Sequence, residues 1–260
     1  MNRLPFGVKR LDSLLGGGAP EGSAILLAGE PGAGAREFLA TCVLMNGLAL
    51  EDLDEFSLAY GDFAGETSLP EEVHYVSLTD DVAGIKREFT TAFDVEFTER
   101  ASSPITFADL SSSYFRFSPV PRDWYTEPTT DIESLGNRSN RETVFEALAT
   151  YLSEHATESL VCLDSVTDLL SADAERSLDD VATVLNGVRR AASDWEGLRF
   201  DGSAAVATSH ERWNSRSSAG ASNARSRGPR YLRNGVSRHR LRRQRHPKDT
   251  VEMLIFSEKN

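Results

Sequence analysis

A short apolar run, closed by a glycine-rich turn and followed by a second, longer apolar series, constrains this chain more than any other feature. Ser23 to Ala28 reads SAILLA, Gly29 to Phe38 reads GEPGAGAREF, and residues 36 to 50 continue as REFLATCVLMNGLAL without a proline. An apolar run of this length between glycines is the mark of a buried strand, and a long apolar series without a breaker is that of a helix packed on several sides. Strand, glycine turn and helix in that order are the setting in which backbone N–H groups and a helix N-terminus converge on phosphate oxygens, the glycines permitting close approach and positive φ.

The phosphate-loop pattern G-x-x-x-x-G-K-[ST] sets its glycines at Gly29 and Gly34, so the candidate loop comprises Gly29, Glu30, Pro31, Gly32, Ala33, Gly34, Ala35, Arg36 and Glu37. The pattern then demands Lys at 35 and Ser or Thr at 36, where this chain has Ala35 and Arg36. Loss of the lysine removes the cation that neutralises developing charge on the β- and γ-phosphates, an electrostatic contribution on the order of 3 kcal/mol. Loss of the hydroxyl removes a Mg²⁺ ligand. Arg36 offers a cation one position late, which can reach back towards a phosphate but cannot coordinate a metal. Glu37 adds a negative charge nearby. The expectation is a backbone cradle without the groups that do the chemistry.

Further along, Val73 to Leu78 (VHYVSL) and Leu160 to Asp164 (LVCLD) read as strands, with Pro104 to Leu110 a weaker one. Helical patterns run over Val82 to Phe93, Glu142 to Glu154, and from Leu178 to about Trp195. The acidic stretch Glu51 to Glu72 reads as a surface excursion, and Tyr114 to Gly136, with three prolines and the aromatics Phe115, Phe117, Trp124 and Tyr125, as a long loop pinned by its rings. Strands and helices alternating at this spacing predict an α/β fold, a mostly parallel sheet with helices on both faces.

Two cysteines, Cys42 and Cys162, are too few and too far apart for a disulfide framework, which suits a reducing compartment. His74 and His155 stand isolated in sequence, and neither reads as a metal ligand. No apolar run approaches the ~18 residues of a membrane span, and MNRLPFGVKR lacks the apolar stretch of a secretory signal. A soluble cytoplasmic protein with no membrane partner is expected.

Charge divides the chain. Residues 1–200 carry 35 acids and 15 bases, whereas residues 201–260 carry 5 acids and 13 bases. Only Lys9, Lys86, Lys248 and Lys259 are lysines, and an acidic, lysine-poor body suits a solvated surface in high salt. Residues 1–200 therefore read as one body and 201–260 as a basic, Arg-rich tail. Three readings of the tail stand side by side: a polyelectrolyte that binds nucleic acid, a solvated disordered segment, or the product of a slipped coding frame near Arg199. One base later, Arg199 to Val206 can decode as an unbroken apolar run. Against slippage, Ala204 to Thr208 (AAVAT) can itself be the next strand.

The opening segment LPFGVKRLDSLLGGGAPEGSAILLAGEPGAG resembles the RecA-like ATPases of the KaiC and RadA group, which begin with a similar Phe-Gly-x-x-x-Leu-Asp-x-Leu-Leu-Gly-Gly-Gly run. With the acidic composition and the segment FSPVPRDWY, the chain is particularly similar to the haloarchaeal HTR-like proteins, a branch with degenerate loops. The likeness covers roughly residues 1–198. It implies a RecA-like P-loop fold with ATP and Mg²⁺ as ligands, held weakly or not at all here. Asp164 matches the acidic Walker B residue that holds Mg²⁺ through water, the alternative being a strand-end Asp that caps the next turn. The family's pair of water-activating glutamates falls at Thr79 and Asp80, so Asp80 or Asp81 is left as a poor substitute, with a helix N-cap the simpler role for either. Three departures, at 35, 36 and 79, lead to a pseudo-ATPase with a regulatory or interaction role. A slow ATPase using Arg36, and a DNA recombination or repair accessory, are the alternatives. Relatives assemble, so a homo-oligomer is the expected partnership, alongside a regulatory protein partner.

Overall fold

Alternate residues of each strand point to opposite faces, so strands apolar on both faces need covering on both. The computed structural model describes residues 3–29, 32–63, 67–125, 143–171, 183, 187–188, 190–191, 204–209, 236–242 and 250–256. A small antiparallel pair, β1 (Arg3–Leu4) and β2 (Ala19–Pro20), brackets α1 (Lys9–Leu14). The main sheet is built from β3 (Ser23–Gly29), β4 (Glu72–Ser77), β5 (Ile105–Asp109), β6 (Ser159–Leu163), β7 (Ala204–Ser209), β8 (Val236–Arg242) and β9 (Thr250–Phe256). Its order is β5-β4-β6-β7-β3-β9-β8; the run from β5 to β3 is parallel, and β9 and β8 add antiparallel strands beyond β3.

Helices α2 (Ala35–Glu51), α3 (Leu53–Tyr60), α4 (Val82–Ala92) and α5 (Val95–Ser102) contribute to one apolar layer, where Leu39, Phe56, Ile85 and Ala101 join Ile25, Leu27, Val73, Tyr75, Leu160 and Cys162. After the short α6 (Ser111–Tyr114), helices α7 (Val144–His155) and α8 (Val166–Ser171) cover the opposite face, packing Leu148, Leu152 and Val166 with Leu26, Val76 and Val161. The expected α/β fold with helices on both faces of a parallel sheet is thus present. Its helix starts are written locally: Asp52, Asp81 and Asp94 accept from the backbone N–H of Glu55, Gly84 and Phe97, and Thr143 with Glu146 forms a capping box.

Two segments depart from the sequence reading. The acidic stretch Glu51 to Glu72 contains α3, because Phe56 and Tyr60 lie on one side of a helical turn and are buried while Glu51 and Asp54 are exposed. In the basic segment, β7 is the strand that Ala204 to Thr208 (AAVAT) offered and lies between β6 and β3, whereas β9 and β8, not expected from the sequence, extend the same sheet, so parts of residues 201–260 complete the backbone pairing of β3 on both sides. The predicted helix from Leu178 to Trp195 and the second half of the loop from Tyr114 fall largely outside the described residues. Among the described residues no helix is long and apolar enough to cross a membrane.

The opening Leu-Asp-x-Leu-Leu-Gly-Gly-Gly run has a structural reason. Asp12 is fully buried and accepts hydrogen bonds from the backbone N–H of Phe6 at 2.8 Å and of Val8 at 3.1 Å, and from the Tyr60 hydroxyl at 2.9 Å. Burial pushes its carboxyl up to about 6, against the pull of these bonds. Gly18, at φ +123°, must lack a Cβ because one would collide with the Leu4 carbonyl.

His74 and His155, isolated in sequence, meet beside Tyr151. The buried His74 places Nδ1 2.7 Å from the Tyr151 hydroxyl and Nε2 2.9 Å from Glu72, and the two imidazole centroids lie 5.5 Å apart. Burial holds the His74 imidazole below the usual histidine value; Glu72 opposes this and His155 adds to it.

Two outcomes follow from these networks. Asp12→Ala leaves two backbone donors and a hydroxyl without their acceptor and should cost about 2–4 kcal/mol of stability, read as a lower urea midpoint. His74 takes up a proton more readily in the unfolded chain, so its contribution is complete above about pH 6.5 and is lost as pH falls below it. The melting temperature of the parent should therefore drop more steeply than that of His74→Phe between about pH 7 and about pH 5.

Candidate functional site

Parallel strands deliver their C-terminal ends to one edge of the sheet, and the crevice there opens where successive connections leave in opposite directions. From β4 the chain runs to β5 on one side, and from β6 to β7 on the other, so the β4 and β6 ends flank such a point. The glycine loop after β3 lies on the same edge.

Gly29 ends β3, and Glu30 and Pro31 lie outside the described residues. Gly32 and Gly34 hold positive φ of 81° and 95°, conformations that L side chains rarely adopt, and Gly34 is the N-cap of α2. Ala33 and Ala35 are buried, whereas Glu37 is exposed. Position 35 thus contributes a methyl group to the interior where the pattern has its lysine.

Arg36, in the first turn of α2, does not turn back to the loop. Its Nε donates to Asp164 Oδ1 at 3.0 Å and its Nη2 to Asp164 Oδ2 at 2.6 Å, a two-pronged contact with a carboxylate only 3% exposed. The same Nη2 lies 3.5 Å from Asp80 Oδ2 and 3.5 Å from Glu88 Oε2. Burial opposes the charge on Arg36, but the hydrogen bonds and charge of Asp164, with Glu88 adding, outweigh it and hold the guanidinium above its ordinary value. Glu88 is itself pushed up, first by burial and then by Asp164, Asp80 and Glu37, with Arg36 pulling the other way. A cleft of about 640 Å³ adjoins the cluster, lined by Gly32, Gly34, Arg36, Thr41, Glu88 and Phe93 among others.

Each candidate from the sequence has a definite place. Asp164 follows the last residue of β6 and is held there by its N–H, which donates to the Val76 carbonyl at 3.0 Å. The Ser165 hydroxyl accepts from the Asp168 N–H at 3.2 Å in the turn that follows. Asp80 stands in the β4–α4 turn with its N–H on Ser77 Oγ at 3.0 Å and its carboxylate towards Arg36. Asp81 is the N-cap of α4, accepting from Gly84 N–H at 2.6 Å. Thr79, half-buried, precedes them without a carboxylate.

Glu88 was not legible as a member of the site. It follows Lys86 and Arg87 on a helix, a charge run that reads as a solvated face, and no local pattern signals that α4 brings it to Arg36.

The residues do not fit the Mg²⁺ that the resemblance implies. In a phosphate loop the metal is shared between the hydroxyl at position 36 and the strand-end carboxylate. Here the hydroxyl is replaced by a cation, and that cation binds both oxygens of the carboxylate. Among the described residues no group of three carboxylate, imidazole or thiol side chains is arranged to hold a metal ion.

A double-mutant cycle on Arg36→Ala and Asp164→Ala should return a coupling of about 1–3 kcal/mol. Because Asp164 is buried, most of that coupling should survive at about 1 M salt, where an exposed pair would be screened. No protein-family model matches the chain, and no curated protein matches it either, so the case for a function rests on the geometry of this crevice.

Proposed function

We propose that this chain is a RecA-like P-loop protein of the KaiC and RadA group, nearest the haloarchaeal HTR-like proteins, that has given up ATP hydrolysis and acts as a regulatory or interaction protein. One observation carries the reading: Arg36 closes both its Nε and its Nη2 on Asp164, so the acidic strand end that would organise a metal is neutralised from within. The glycine loop at the end of a parallel strand, with Asp164 ending another strand of the same sheet, supports the P-loop part of the proposal. Ala35 and Thr79, where the chemistry needs Lys and Glu, support the loss of turnover. A phosphate in the loop would meet backbone N–H groups but no free cation from position 36, and binding without a partner for the γ-phosphate charge is weak.

A slow ATPase is the second reading, favoured by Asp80, which lies 3.5 Å from Arg36 at the mouth of the crevice and can face a water. It requires Arg36 to leave Asp164 for the phosphate. ATP turnover by the purified full chain at high salt separates the two. The proposal expects no hydrolysis above background, and calorimetric titration with ATP should give the same weak or absent heat with and without Mg²⁺. Steady hydrolysis lost in both Arg36→Ala and Asp164→Ala would establish the second reading in its place.

A further inference from the structure

Helix α7 meets the sheet through polar groups as well as apolar ones. Leu148, Leu152 and Val144 pack with Leu26, Val76 and Val161, while Tyr151 and His155, one turn apart, close over His74 of β4 with ring centroids 4.6, 5.5 and 5.8 Å from one another. The bonds around His74 admit one neutral tautomer. The Glu72 carboxylate only accepts, so Nε2 carries the proton 2.9 Å from it, and Nδ1 is left to accept from the Tyr151 hydroxyl at 2.7 Å. A second proton on the ring would stand on Nδ1, against a hydroxyl that already directs its hydrogen there, and would place a charge on a side chain only 2% exposed. Glu72, 64% exposed, answers that charge weakly. His155, 5.5 Å away, adds a like charge when it is protonated, and its own neighbour Glu154, 3.9 Å off, is exposed. The turn from α7 into β6 is fastened at the same end of the sheet: Glu158 holds a left-handed φ of 59°, and its carbonyl accepts from the Glu71 N–H at 2.9 Å. Burial, and then Glu71, pushes the Glu158 carboxyl up, so this pair takes up its proton more readily in the folded chain and works against the imidazoles.

We propose that His74, Tyr151 and His155 form a proton-sensitive latch, which holds α7 against β4 while both imidazoles are neutral and lets that helix leave the sheet, ahead of the rest of the fold, once they are charged. Burial, with His155 adding and Glu72 opposing, holds the His74 imidazole below the usual histidine value, so the open helix takes up the proton more readily than the closed one. Closure is therefore complete above about pH 6.5 and weakens as pH falls below it. The loss is directed to α7 because β4 is hydrogen-bonded through its backbone to β5 on one side and β6 on the other, whereas a helix meets a sheet through side chains alone. The latch stands towards the start of β4, away from the crevice at the strand's far end, and it uses no residue of the glycine loop.

Amide hydrogen exchange of the full chain, read by mass spectrometry at about pH 7 and about pH 5 and corrected for the intrinsic rate at each, is the test, with α2 as the internal reference. In the parent, the protection of α7 should fall by about tenfold or more beyond any fall in α2. His74→Phe, whose ring takes no proton, should remove that difference. Tyr151→Phe, without the hydroxyl that fills Nδ1, should lower the protection of α7 at the higher pH and narrow its further loss at the lower one; a mere loss of packing would lower both alike. Should His74→Phe not fold, His155→Gln, altered at a half-exposed ring, carries the test, with a fall in α7 smaller than the parent's. Equal loss of protection from α7 and α2 in the parent, or a fall of the parent's size in the histidine variants that fold, would overturn the proposal. No nucleotide is present, so this result and that of the pseudo-ATPase reading are separate.

Discussion

A buried carboxylate must be answered by a positive charge, and in this chain the answering charge is covalently attached. Asp164 is nearly inaccessible to water, and leaving it uncompensated would cost more than an ordinary surface ion pair is worth. Arg36 meets it with two directed hydrogen bonds, and the planar guanidinium has donors left over for Asp80 and Glu88. The first turn of α2, the β4–α4 turn, α4 and the end of β6 are thereby tied to one group. A lysine could supply the charge but not the fork.

The second constraint lies at the start of the chain. Asp12 gathers the Phe6 and Val8 amides and the Tyr60 hydroxyl, joining the opening segment to α3, while Gly18 lets the backbone pass Leu4. Lys9 adds a charge over the Tyr60 ring, 5.4 Å from its centroid. Asp12 and Gly18 of the opening run are therefore occupied with folding. At positions 35, 36 and 79 the chain carries Ala, Arg and Thr where the phosphate-loop pattern and the resemblance call for Lys, Ser or Thr, and Glu.

Elements whose pattern was local were readable. Ser23–Gly29, Ala35–Glu51, Glu72–Ser77, Val144–His155 and Ser159–Leu163 lie close to the expected bounds because each buries a continuous or regularly spaced apolar set between clear breakers. Helix α3 was hidden because two buried aromatics were outnumbered by acids, and α5 because its eight residues bury only Thr98, Ala101 and Ser102, none of them strongly apolar. Of the strands after residue 200, β7 was offered by the run AAVAT, whereas β8 was hidden by arginine: VSRHRLR pairs β9 at the edge of the sheet, where charged residues are tolerated and discourage further strand addition. Net charge by segment separated what backbone hydrogen bonding joins.

Read from one end to the other, the residues alone define a strand, a glycine turn and a helix, and identify the missing lysine and hydroxyl, because these depend on neighbours in the chain. They could not say what Arg36 does. Reaching back to a phosphate and closing on Asp164 are equally open to a guanidinium at the start of a helix, and the choice falls to whichever acceptor the sheet brings within reach. Placing Asp164, Asp80 and Glu88 about one nitrogen requires the strand order and the packing of α4, which are set by contacts between distant segments and leave no trace in local spacing.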